Sequence, residues 1–369
     1  MKIVFTCGGT AGHVNPALAL AQMFVRRNEN CEVLFIGAEK GMEQRLVAQA
    51  GFPIEQVKVS TFERAWAWKI IKHNFKSIFK IPVGRHQARS ILKRFRPDLV
   101  VGTGGYASFP AVREAARLGI PTAIHESNAI PGLTTKALAD KVDLVMVGFP
   151  EAGAHYHGAK RVEVTGTPVR GQFFELDRED ARAELGITDN RPFVVSFWGS
   201  QGAVHMNDHT VDLFRCWAEE GKPFHYIHSA GRNYDAMAAE LAKRGVAVTE
   251  EELRPYIDNM PVVMAAADLV ICRAGASTLG EVTALGKPAV LVPSPFVAAN
   301  HQYKNARVLA DRGGACLLEE KDVTGSGLYR VVSDLLADGR KRAAMARSAK
   351  ELAAPNAAED IYQALMSLL

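Results

Sequence analysis

Twice in this chain a short apolar strand runs straight into a glycine-rich turn and then into a helix, and few folds accommodate that unit. Residues 2–7 (KIVFTC) lead into Gly8-Gly9-Thr10-Ala11-Gly12-His13, after which Asn15-Pro16 is expected to start a helix of Ala, Leu, Met and Phe. In the second half, Phe193 to Phe197 leads into Gly199-Ser200-Gln201-Gly202-Ala203 and another expected helix. Such a turn aims backbone N–H groups outward at a helix N-terminus, where the dipole favours anions. Two of them in two α/β halves imply a phosphate-bearing substrate held between two domains.

The rest of the chain fits that frame. Strand-like runs fall at 2–7, 32–36, 55–59, 98–101, 122–125, 144–147 and 162–165, then at 193–197, 224–228, 246–248, 269–272, 289–292 and 315–318. Apolar runs without polar alternation, separated by helices, predict parallel sheets covered on both faces. A chain of 369 residues exceeds one ordinary core. The expected fold class is α/β, with two Rossmann-like domains whose parallel sheets face a cleft. The boundary is placed at Gly166-Thr167, giving domains 1–166 and 167–355, with a final helix at about 356–369 that could pack on the first.

Composition narrows the function classes. Hydrophobic residues at 48% and charged residues at 23% are globular values, and a net charge of +4 does not by itself argue for nucleic acid. The five cysteines never form a CxxC pair, which favours reduced thiols in a cytosolic protein. No apolar run approaches the roughly 18–20 residues that span a bilayer, and the first strand begins too early for a signal peptide. The dinucleotide fingerprint, a metal-ligand spacing, a G-x-S-x-G elbow and a D-x-D pair are all missing from the sequence. The expectation is an apparatus without cofactor or metal.

Chemistry-bearing residues cluster in the loops after the strands. His13 sits beside the first glycine turn and is a candidate general base, since its free pKa suits proton transfer near neutrality. Its alternative role is a hydrogen bond to the backbone. A second turn, Gly102-Thr103-Gly104-Gly105-Tyr106, offers small residues where a ligand could approach, and Gly9, Gly104, Gly105 and Tyr106 are the candidates for an acceptor diphosphate. His125-Glu126-Ser127-Asn128 ends another strand, where α/β sheets place ligand contacts, although a mutual or capping bond is nearly as good an account of His125 and Glu126. In the second half, Arg273 to Glu281 forms a further anion- or sugar-friendly turn. There Glu281 is placed to accept hydrogen bonds from a ribose diol, or else is a dipole-compensating surface carboxylate. Asn300-His301-Gln302 and Asn305 supply amides suited to sugar hydroxyls.

Taken together, GGTAGHVNPALAL, GTGGYASFP, HESNAIPGLTTK, GTPVR, GSQGA, YIDNMP, CRAGASTLGE and HQYKNA occur in an order that resembles the MurG family of N-acetylglucosaminyltransferases, over nearly the whole chain. The resemblance implies the glycosyltransferase B fold. It also implies a C-terminal domain for UDP-N-acetylglucosamine and an N-terminal domain for the undecaprenyl-diphosphate-linked muramoyl peptide, lipid I. It places donor contacts at Thr10, Ala11, Gly12, Asn128, Arg170, Ser200, Ile257, Ala276, Ser277, Thr278, Leu279, Gly280, Glu281 and Gln302. Glu281 would hold the ribose, the Ile257 backbone the uracil, Ser200 the diphosphate, and Gln302 the transferred sugar. The implied reaction is attack by the acceptor 4-hydroxyl on the anomeric carbon with inversion, giving lipid II. His13 would serve as base, and Arg170 and the Ser200 helix N-terminus would meet the leaving charge. The chain departs from the family pattern at Trp198, at Thr135, and at Ala299-Asn300. A UDP-sugar epimerase of the same fold and a nucleotide-sugar binding module without turnover remain the rival readings.

One segment lies outside that constellation. From Arg64 to Pro97 there are ten Lys or Arg and no Asp or Glu. Within it Trp66, Trp68, Phe75 and Phe79 interleave with Lys69, Lys72, Lys76 and Lys80, whose spacings of three and four put the lysines on one helical face. Rings with cations are the composition of an interfacial helix on an anionic membrane; a helix with a core-facing stripe is the alternative. No nucleic-acid motif accompanies the charges. The expected location is peripheral, on the cytoplasmic face of a bacterial plasma membrane, with cell-wall synthesis proteins as possible partners.

Overall fold

A computed structural model of the chain describes residues 1–59, 68–199 and 202–369, and the side chains of Ala11 and residues 68–81 are outside that description. Two compact units result, one formed by 1–169 with 354–369 and the other by 170–353.

The first unit holds strands β1 (Lys2–Thr6), β2 (Glu32–Ala38), β3 (Ile54–Val57), β4 (Leu99–Gly102), β5 (Thr122–Glu126), β6 (Leu144–Val147) and β7 (Val162–Val164). They form one parallel sheet in the order β3-β2-β1-β4-β5-β6-β7. Ile3 and Phe5 point to one buried layer and Val4 to the other, so both faces are covered, as the unbroken apolar runs require. One layer receives helix α1 (Ala11–Arg27) and the C-terminal helix Ala357–Met366, whose Tyr362 ring lies 4.8 Å from that of Phe24. The other receives the C-terminal part of helix α3 (Trp68–Phe95), through Ala88, Ile91 and Leu92.

The second unit holds β8 (Phe193–Phe197), β9 (His225–Ser229), β10 (Leu253–Arg254), β11 (Leu269–Cys272), β12 (Ala289–Leu291) and β13 (Ala315–Leu317), again all parallel, in the order β10-β9-β8-β11-β12-β13. In both sheets the strand order reverses beside the first strand of the unit, at β1/β4 and at β8/β11. Loops on either side of such a switch point diverge and leave room at the C-terminal edge. The glycine turns named above leave the sheets at those two points.

Two sequence expectations change. The run 246–248 is not a strand, and the edge position belongs to β10. Gly245 at φ +72 ends helix Tyr234–Lys243, and the Val246 N–H returns to the Leu241 carbonyl at 3.0 Å. Val246 is therefore the apolar residue that closes a helix C-terminus. The first helix starts at Ala11 instead of Asn15-Pro16, because the Thr10 carbonyl already accepts the N–H groups of His13 and Val14. Pro16 is tolerated inside it at the loss of one amide donor.

Trp66 and Ser200 lie outside the described residues, as do the side chains of Trp68, Lys69, Lys72, Phe75, Lys76, Phe79 and Lys80. Among the described residues no helix is long and apolar enough to cross a membrane.

Candidate active site

At the first switch point the turn after β1 meets the turn after β4. His13 lies in the first turn of α1, and its Nδ1 is 3.0 Å from the Gly8 carbonyl and 3.2 Å from the Thr10 hydroxyl. A carbonyl can only accept, so Nδ1 carries a proton toward it, and in the neutral ring that leaves Nε2 as the acceptor. The two roles considered for His13 are thus compatible: the backbone bond sets the tautomer that a base needs. Thr103 donates to the His13 carbonyl at 2.7 Å, tying the two turns together.

The glycines here are explained by packing within the unit. A Cβ on Gly104 (φ +100) would lie 2.7 Å from His13 Cδ2, and one on Gly105 (φ +80) only 1.9 Å from the Gly8 carbonyl oxygen. Their missing side chains admit the neighbouring turn. The Gly9 amide is engaged within the unit: its N–H donates to the Glu43 carboxylate at 3.3 Å. The N–H groups of Ala11 and Gly12 on this turn precede the first intrahelical bond of α1. Tyr106 packs its ring beside Gly9, and burial, followed by the Glu43 charge, pushes its phenol pKa up.

His125 is structural. It is completely buried, its Nε2 bonds the Gly166 carbonyl at 2.8 Å, and burial holds its pKa below the usual imidazole range. Buried Glu126 organises the loop that follows. It accepts from the Asn128 N–H and side-chain amide, from the Gly132 N–H, and from the Thr135 hydroxyl at 2.5 Å. Thr135, a departure from the family pattern, is therefore a working part of that loop, and Asn128 is oriented by it.

In the second unit, helix Ala276–Leu285 begins after β11 with Gly275 at its N-cap and no side-chain cap. Ser277 Oγ in its first turn is buried and has no hydrogen-bond partner among the described residues. A buried orphan hydroxyl costs about 1–3 kcal/mol, so its presence at an uncapped helix N-terminus fits a polar ligand there. Glu281, one turn on, is pushed up to about 7 by burial, while Arg170, 4.0 Å away, opposes that shift. Ala276, Leu279 and Ile257 are buried, so only their backbones can meet a ligand, whereas Thr278 and Gly280 are partly exposed.

Gln302, in helix His301–Ala310, accepts the Ser294 N–H through Oε1 at 2.9 Å, which turns its Nε2 donor outward from that bond. Before it, Ala299 and Asn300 both take left-handed backbone conformations, with φ of 54° and 52°. Asn305 donates to the Ala274 carbonyl at 3.3 Å, joining this loop to the turn after β11. Arg273 serves the framework: it is buried, reaches the Val292 carbonyl at 3.0 Å and pairs with Glu320 at 2.6 Å. Trp198 turns inward, donating to the Thr210 hydroxyl at 3.0 Å within the core. Glu43 is the residue that sequence reasoning passed over; its only signal is a pair of glycines, Gly37 and Gly41, just before it.

Two parallel α/β units, each with a helix N-terminus and polar side chains at its switch point, are the architecture of the glycosyltransferase B fold. Residues 3–147 match the glycosyltransferase family 28 N-terminal domain and residues 193–361 the family 28 C-terminal domain. The chain belongs to glycosyltransferase family 28. It is 40% identical to the UDP-N-acetylglucosamine--N-acetylmuramyl-(pentapeptide) pyrophosphoryl-undecaprenol N-acetylglucosamine transferase of Acetivibrio thermocellus, covering 100% of this chain and 98% of that one. A transferase of the same description from a Thermoanaerobacter species is 39% identical with both chains fully covered. Among solved structures, MurG of Acinetobacter baumannii superposes with a TM-score of 0.77 at 28% identity over 99% of each chain. The calicheamicin glycosyltransferase CalG4, at 18% identity and a TM-score of 0.71 over 99% of this chain and 98% of its own, shares the fold.

Proposed function

We propose that the chain transfers N-acetylglucosamine from UDP-N-acetylglucosamine to the muramoyl 4-hydroxyl of undecaprenyl-diphosphate-linked lipid I, giving lipid II with inversion at the anomeric carbon. Full-length identity to transferases described by that reaction supports the substrates. The observation that carries the chemistry is the His13 ring, with Nδ1 committed to the Gly8 carbonyl and Nε2 left as acceptor. The acceptor hydroxyl gives its proton to Nε2 as its oxygen bonds the anomeric carbon. The bond from that carbon to the diphosphate oxygen breaks, and its electron pair leaves with UDP.

The remaining residues bind and orient. Glu281 takes the ribose diol, the Ile257 backbone the uracil, and Gln302 Nε2 an oxygen of the transferred sugar. Ser200, Ser277, the helix N-terminus at Ala276 and Arg170 meet charge building on the diphosphate. Thr10, Ala11, Gly12 and Asn128 are assigned to the donor, and Gly9, Gly104, Gly105 and Tyr106 to the acceptor diphosphate. The segment from Trp66 to Lys80 is assigned to an anionic membrane surface, where the polyprenyl acceptor resides, on the strength of its rings and cations.

The test is UDP release from UDP-N-acetylglucosamine with a short-chain lipid I analogue. Release that requires the acceptor is expected, and His13→Ala should lower kcat by roughly 100- to 10,000-fold with UDP affinity retained. An epimerised sugar product, or binding without release, would support the rival readings. Near wild-type turnover in His13→Ala would remove the base assignment.

A further inference from the structure

Glu43 opens helix α2 (Glu43–Gln49), and its side chain is completely buried. Three glycines from three segments make room for it. A Cβ on Gly8, Gly37 or Gly41 would lie 2.7, 2.6 or 2.0 Å from a Glu43 atom. The carboxylate accepts two backbone donors, Ala38 N–H on Oε1 at 2.9 Å and Gly9 N–H on Oε2 at 3.3 Å. Partners that only donate suit an ionised carboxylate.

The Gly9 N–H belongs to the same peptide group as the Gly8 carbonyl, and that carbonyl accepts His13 Nδ1–H at 3.0 Å. Carboxylate, one peptide group and imidazole therefore form a continuous chain of hydrogen bonds. An anion on the N–H side of an amide shifts electron density toward its oxygen, and bonds in such a chain strengthen one another, by about 10–30% each. The Gly8 oxygen becomes a better acceptor for Nδ1–H when that ring turns positive.

We propose that Glu43 is a positioning residue for His13. Acting through the Gly8–Gly9 peptide, it fixes the ring tautomer and stabilises the imidazolium that forms when Nε2 takes the acceptor proton. The inference rests on the reading of His13 as base. Two other titratable groups face the Glu43 charge, the thiol of Cys7 and the phenol of Tyr106. Burial first, and Glu43 second, push both upward, so each favours its neutral form beside the buried carboxylate.

The test compares Glu43→Gln, Glu43→Asp, His13→Ala and the double variant His13→Ala/Glu43→Gln on the short-chain acceptor. Glu43→Gln should lower kcat by about 10- to 100-fold, the range seen where an outer partner orients a ligating histidine. Its KM for UDP-N-acetylglucosamine should hold, and the acid limb of its kcat/KM profile should move to lower pH, because a ring without the buried anion is the weaker base. Glu43→Asp, which keeps the charge, should recover part of the rate and of the limb. The double variant should be no slower than His13→Ala alone, since one unit has been broken twice. In the unmodified protein, ¹⁵N NMR of the neutral ring should find the proton on Nδ1. An unmoved acid limb, additive losses in the double variant, or a proton on Nε2 would overturn the proposal. If His13→Ala is slow while Glu43→Gln matches wild type, only the relay fails; if His13→Ala turns over normally, the base reading fails first.

Discussion

The turns after β1 and after β11 are built from the same plan, yet one is filled from within and the other is left open. In the first, Glu43 takes the Gly9 amide, Gly8 holds His13, and Gly104 and Gly105 close over both. In the second, Ser277 has a buried hydroxyl with no partner among the described residues, and Glu281 has a carboxyl that burial has driven upward. The contrast fits their assigned tasks. A base must be oriented before substrate arrives, so the protein supplies every partner of its ring but one. A binding loop keeps its polar groups for the ligand, and the ligand-free protein carries the cost.

The largest test of that contrast is steric. Gly105→Ala puts a methyl into the Gly8 carbonyl at a backbone φ of +80, and should cost more than about 3 kcal/mol, read as a lowered denaturation midpoint. Gly199→Ala, at φ +92 with nothing among the described residues within 4 Å of the added atom, should cost only the conformational term of about 1–2 kcal/mol. Equal losses would show that the first turn is not closed in the way described.

A smaller effect is electrostatic. Glu281 in the folded protein holds its proton up to about pH 7, against an ordinary value of 4.5. Its ionisation therefore lowers stability as pH rises through that window, an effect absent below the unfolded value and complete above the folded one. A ribose diol donates, and so prefers the carboxylate. UDP affinity should rise from about pH 5.5 to about pH 7, by up to roughly tenfold per pH unit, and then level off. Glu281→Gln should flatten that dependence in titration calorimetry; an unchanged slope would move the ribose elsewhere.

The smallest concerns the orphan hydroxyl. Ser277→Ala should leave the ligand-free protein as stable as before or more so by about 1 kcal/mol, and weaken UDP binding by a similar amount. A loss of stability without ligand would mean the hydroxyl has a partner in the free protein.

Much of this was legible beforehand, for reasons that differ between residues. Strands such as Phe193–Phe197 and Leu269–Cys272 declare themselves because a doubly covered parallel strand must be apolar throughout. Val246 and Val248 misled because an apolar residue that closes a helix end has the same local composition as a strand. His13 and Glu281 stood out as polar residues beside glycine turns. His125, at the C-terminal end of a strand, was as good a candidate, and only its complete burial against the Gly166 carbonyl separated it from them.

Alternation of strand and helix, and the glycines at the strand ends, are consequences of short-range sterics and burial, so the sequence by itself determined the two α/β sheets and the turns that leave their strand ends. Which glycine faces a ligand and which faces another turn was decided by tertiary structure, because Gly8 and Gly105 are adjacent only after β4 pairs with β1. The same holds for Glu43. The Ala38 amide is five residues from it, but thirty-four positions separate it from Gly9, and the glycines just before it do not tell which distant amide the carboxylate meets.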